Sequence, residues 1–75
     1  MNNRKSLDDA VNLRKWFAIE VRIFDKLAKQ PGNCPEMQSL VENWQQEAEG
    51  RLIASHKLVE LCEERLAVFG EEMVI

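Results

Sequence analysis

Apolar side chains recur at spacings of three and four along almost the whole chain, the signature of amphipathic helix. In the first third, Leu7, Ala10, Leu13, Phe17, Val21, Phe24 and Ala28 form one stripe. Beside it runs a second set, Trp16, Ile19, Ile23 and Leu27, with Glu20 between the two. Further on, Met37, Val41, Trp44, Ala48, Leu52, Ser55, Val59, Cys62, Leu66 and Phe69 alternate fours and threes, and Leu40 and Leu58 widen the stripe. The opposite side, including Gln38, Glu42, Gln45, Gln46, Glu49, Glu60, Glu63 and Glu64, reads as solvated surface. The pattern predicts two helices, about 6–29 and 35–69. Ser6 with Asp9 gives the start signal of the first, and Asp8 supports the helix dipole.

Only KQPGNCPEMQ, residues 29–38, interrupts the helical pattern; it holds both prolines and one of the three glycines. Pro31 stops the first helix, and Gly32 and Asn33 tolerate left-handed backbone. Lys26 and Lys29 complement the negative end of the first helix. Pro35 suits the first turn of the second helix, with Glu36 adding favourable charge. Either Asn33 or Cys34 caps that helix, and Cys34, held extended by the proline after it, is preferred.

Folding at this break makes an all-α, antiparallel two-helix hairpin, one domain over 1–75. The expected register sets Phe24 near Val41, Val21 near Trp44, Phe17 near Ala48, Leu13 near Leu52, Ala10 near Ser55 and Leu7 near Val59. The second helix then overruns the first by about ten residues at ~1.5 Å each. Leu61, Cys62, Leu66, Val68 and Phe69 are left with little to pack on, and Met73, Val74 and Ile75 extend that apolar end. Apolar surface is thus expected in two places, the Trp16, Ile19, Ile23 edge and the overhang. Exposed contiguous apolar surface marks an interface. The expected partner-binding residues are Trp16, Ile19, Ile23, Leu61, Leu66 and Phe69, serving association into a bundle with a second copy or with another protein. Gly50, in a small-residue stretch with Ala48, Ala54 and Ser55, either admits a neighbouring helix or is a tolerated surface glycine. Glu20 is either buried with a cationic partner or reaches water at the seam, and the second is preferred.

Size and charge sharpen this picture. A chain of 75 residues buries only about 60% of its unfolded surface, so a lone core is marginal and a partner is the leading remedy. Net charge is -3 with 31% charged residues. There is no cationic surplus for nucleic acid, and Arg4, Lys5, Arg14, Lys15 and Arg22 are interleaved with acids. No apolar run is long enough to span a bilayer, and MNNRKSLDD lacks the apolar segment of a secretory signal. A cytoplasmic protein with reduced thiols is expected.

The sequence offers no catalytic, cofactor-binding or metal-ligating constellation. Its single histidine, His56, adjoins Ser55 and Lys57, but adjacent helix residues do not face each other. Cys34 and Cys62 have no zinc-ligand spacing. The hairpin sets them roughly 40 Å apart, too far for a disulfide. A thiol at a helix N-terminus is a candidate nucleophile. With no base near Cys34, an ordinary loop cysteine is the preferred reading.

The segment GNCPEMQSLVENWQQEAEGRLIASHKLVE, residues 32–60, resembles the second half of the small helical-hairpin, E-type co-chaperones of the type III secretion needle subunit. The glycine turn, Cys34-Pro35-Glu36, the turn around Trp44-Gln45-Gln46 and the Glu49-Gly50 step before Leu52-Ile53 carry the resemblance. The resemblance implies a bacterial cytoplasmic hairpin. It binds a tetratricopeptide-like chaperone and, through it, helps keep the needle subunit soluble and monomeric.

Overall fold

A computed structural model describes residues 2–71. Two helices, α1 (Asn3–Ala28) and α2 (Pro35–Phe69), pack antiparallel along a rod 55 Å long and 15 Å by 14 Å across. The all-α hairpin expected from the apolar pattern is the fold. Met73, Val74 and Ile75, the expected apolar extension, lie outside the described residues.

The turn is built by local chemistry. Gly32 takes a positive φ of 86°, which a side chain disfavours. Cys34, extended at φ -72° and ψ 159°, caps α2, and Pro35 occupies its first turn. The Cys34 side chain makes no capping hydrogen bond. The Asn33 amide instead donates to the Leu27 carbonyl at 2.8 Å and to Gln38 Oε1 at 2.9 Å. Gln38 Nε2 returns a bond to the Ala28 carbonyl at 3.0 Å. These bonds satisfy carbonyls that the end of α1 leaves unpaired.

At its other end α1 begins at Asn3, one turn earlier than the Ser6 signal predicts. Asn2 is the cap, its Oδ1 accepting from Lys5 N at 3.0 Å, while Ser6 Oγ donates to the Asn2 carbonyl at 3.1 Å. The overhang is also shorter than expected. After Phe69 the chain turns at Gly70, φ 74°, and the Glu71 carbonyl accepts from the amides of Asn3 and Arg4. Asn3 Nδ2 donates to the Gly70 carbonyl at 3.1 Å. The tail thus caps α1. Cys62 and Leu66 are half-buried, the Cys62 thiol 3.9 Å from the Ser6 carbonyl oxygen.

The seam between the helices differs from the sequence reading in register and in membership. Phe24 packs beside Trp44, ring centroids 6.2 Å apart, where Val21 was expected beside Trp44. Glu20 meets Arg51, and Asp25 meets Gln45. Partners lie several residues further along α2 than predicted. On α1 the inward positions follow Asn3, Leu7, Ala10, Arg14, Phe17, Val21, Phe24 and Ala28, all buried or half-buried. On α2 they follow Gln38, Val41, Gln45, Ala48, Leu52, Ser55, Val59, Cys62 and Leu66. Arg14, Gln38 and Gln45 hold positions expected for Leu13, Met37 and Trp44, which are turned outward. Long polar side chains fill a seam with their aliphatic stems while their heads reach water or a partner. The innermost residues are small: Ala10, Val41, Ala48, Ser55 and Val59.

Candidate interaction surface

Seam positions on α1 leave a second series one residue behind them: Leu13, Trp16, Glu20, Ile23 and Leu27. On α2 the equivalent series is Met37, Leu40, Trp44, Glu47, Arg51, Ala54, Leu58, Leu61, Arg65 and Val68. Both keep the spacing of three and four, so each is a stripe roughly a quarter-turn from the seam. Every large apolar residue in these series is exposed. Trp16 is 67% exposed and Trp44 47%.

The two stripes lie on the same side of the hairpin. Three contacts fix this: Glu20 with Arg51, Phe24 with Trp44, and an open groove of about 740 Å³ lined by Ser6, Asp9 and Leu13 from α1 and by Leu58, Leu61 and Val68 from α2. The result is one apolar face along the rod. The reverse side carries Asp8, Lys15, Arg22, Glu42, Glu49, His56 and Glu63, all exposed. Ile53, 69% exposed, is an isolated apolar residue there.

At the middle of the apolar face sits an ion pair. Arg51 reaches Glu20 Oε1 with its Nη2 at 2.8 Å and its Nε at 2.9 Å. The side chains are 42% and 35% exposed, so the pair is worth at most about 1 kcal/mol in the free hairpin. Glu20 therefore has the cationic partner that the sequence reading placed second. Taking the Glu20–Arg51 contact as the level, residues seven positions away lie at matching heights: Leu13 and Leu58, which share the groove, on one side, Leu27 and Trp44 on the other. These layers are about 10 Å apart.

Of the residues expected to bind a partner, Trp16, Ile23 and Leu61 lie on this face. Ile19 is exposed on the outer flank of α1, in a shallow depression with Trp16 and Ile23. Phe69 is exposed at the open end. Leu66 is half-buried at the seam and does not belong to the outward face. The edge and the overhang, expected as separate patches, join into one surface through Leu13, Leu40, Trp44 and Leu58. Their signal in the sequence is the second stripe at the same spacing, displaced by one residue from the first.

Elsewhere, the Asp25 carboxyl is held below the usual carboxylate range, chiefly by its 2.9 Å hydrogen bond from Lys29, with that ammonium's charge and Gln45 adding to it. Cys34 is exposed at the turn, and both cysteines are free thiols. Gly50 is exposed with no atom within 4 Å of where a side chain would begin, so no close approach inside the hairpin requires it. Among the described residues no cluster of His, Cys, Asp and Glu is placed to hold a metal ion, and no helix is long and apolar enough to cross a membrane. The chain matches no family model, no curated protein and no solved structure.

Proposed function

We propose that this chain is an interaction protein, a helical hairpin that presents one apolar face to another helical protein. Its role is the one implied by the resemblance: a cytoplasmic co-chaperone of a bacterial type III secretion system. In that role it docks on a tetratricopeptide-like chaperone and, through it, helps keep the needle subunit soluble and monomeric. The observation that carries the reading is the largely apolar face from Val68 to Met37, interrupted by Glu20, Glu47, Arg51 and Arg65, lying beside a seam whose innermost residues are small. Helix-in-groove recognition uses such a stripe of anchors at spacings of three and four. A helical-repeat protein offers the concave helical groove that this stripe fits.

The test is co-expression with the products of the genes next to its own, followed by mass measurement of what co-purifies. A stoichiometric complex with a helical-repeat protein is the expected result. Ile19→Ser combined with Ile23→Ser should weaken that complex while leaving helical content intact. Ile53→Ser, on the reverse side, should leave it unchanged. Equal loss from both variants, or no complex at all, removes the co-chaperone reading.

A further inference from the structure

We infer that, when no other protein covers it, the apolar face is covered by a second copy of this chain. The two hairpins lie side by side with their turns at the same end, and Glu20 of each copy sits beside Arg51 of the other. The face runs along most of a hairpin 55 Å long. An apolar face fits many partners; the ion pair at its centre favours one that brings matching charges.

The pair occupies the centre of the face, where docking removes it from water. A purely apolar partner would bury Glu20 and Arg51 with no new polar contacts, which is costly. A second copy brings the same two charges. Two-fold symmetry makes the contact self-complementary, and two face-to-face orientations are open to it. With the axis running along the helices, α1 of each copy lies on α2 of the other at equal height. The four charges then form a square in which every neighbour is opposite in sign. The layers on either side match as well, Leu13 on Leu58 and Leu27 on Trp44. In the same register Trp16 comes over Ala54, a large side chain over a small one, and Ile23 comes over Glu47, whose carboxylate can turn to water at the rim. With the axis across the helices, apolar layers still meet apolar layers, but Glu20 faces Glu20 and Arg51 faces Arg51. Like charges in contact disfavour that arrangement.

The inference does not depend on the co-chaperone reading. The same face serves both associations, so the two compete. A chain that is monomeric alone yet captures a helical-repeat partner removes only the dimer. A chain that is dimeric alone and captures nothing removes only the co-chaperone.

The experiment is a charge exchange followed by sedimentation equilibrium. The unmodified chain should have twice its 8.7 kDa mass. Glu20→Arg alone gives four positive charges at the centre, and Arg51→Glu alone gives four negative charges. Each variant should be a folded monomer by circular dichroism at a concentration where the unmodified chain is a dimer. Mixing the two should restore a dimer holding one of each. A monomeric unmodified chain, or variants that stay folded and do not pair on mixing, would overturn the inference. Should either charge variant unfold, Trp16→Asp replaces it, being highly exposed in the free hairpin. A Trp16→Asp chain that still dimerises refutes the face. Orientation is read from a spin label on Cys34 in a Cys62→Ser background. Turns at the same end put the labels within about 20 Å, two helix diameters. The crossed arrangement, with Cys34 about 25 Å above the ion pair, puts them roughly 50 Å apart and overturns the side-by-side arrangement.

Discussion

The seam between the helices and the face beside it are composed in opposite ways. The seam, which holds the hairpin together, is centred on alanine, valine and serine, with Arg14, Gln38 and Gln45 among its members. The face, largely exposed in the free hairpin, carries both tryptophans and several leucines. Helices meeting over small residues approach closely but bury little area. The hydrophobic driving force scales with area removed from water, so much of this chain's capacity for burial lies outside its own fold. The hairpin is better described as half of a larger core than as a finished one. That is consistent with the marginal stability expected of a single core at this length.

If the division is real, changes at the seam act on folding and changes at the face act on association. The largest folding effect is expected from Phe17→Ala, one of the few bulky seam residues. Truncating it should cost about 3 kcal/mol, enough to unfold most of the population, as a thermal melt followed by circular dichroism would show. An unchanged melting temperature would contradict the seam as drawn. Next is Ala48→Leu, which forces bulk into a fully buried position. Overpacking there should cost roughly 1–3 kcal/mol; a neutral result would mean the helices separate easily at that level. Trp16→Ser should change the stability of the isolated monomer by less than about 0.5 kcal/mol, as surface substitutions do, and should lower its tendency to associate. A large loss of monomer stability would place Trp16 in the hairpin's own core. The smallest effect is at the turn-proximal ion pair. Because the folded-state pKa of Asp25 is lowered, its contribution is present above the ordinary Asp pKa of about 3.9. It is lost as pH falls through the lower folded value. Asp25→Asn should therefore flatten the acid limb of the stability profile and leave the melt at neutral pH little changed.

The sequence showed some of this plainly and hid the rest for physical reasons. Pro31, Gly32, Cys34 and Pro35 located the turn and the start of α2 because their constraints act within one or two residues. The start of α1 was misplaced because Ser6 carries a recognisable capping signal, while the true start is held by the Asn2 side chain and by a tail nearly seventy residues away that bonds Asn3 and Arg4. The seam was misassigned because stripes displaced by one residue have the same spacing. Large apolar side chains drew Leu13, Met37 and Trp44 inward, whereas packing favoured Arg14, Gln38 and Gln45. Register was out of reach, since it depends on which of two equally spaced stripes forms the seam. Trp16, Ile23 and Leu61 were legible as outward apolar positions. Their union into one face was not, because it requires the register.

The bond from the Glu71 carbonyl to the amides of Asn3 and Arg4 changes how such a rod comes apart. An antiparallel pair joined at one end ordinarily unzips from the other, turn by turn, each step gaining entropy at small cost. Here the free end is latched. Loosening the first turn of α1 also releases Gly70 and Glu71, so the early steps of fraying are tied together. Amide hydrogens near the open end should then exchange as a group with those of the next turns, rather than in a graded series toward the bend.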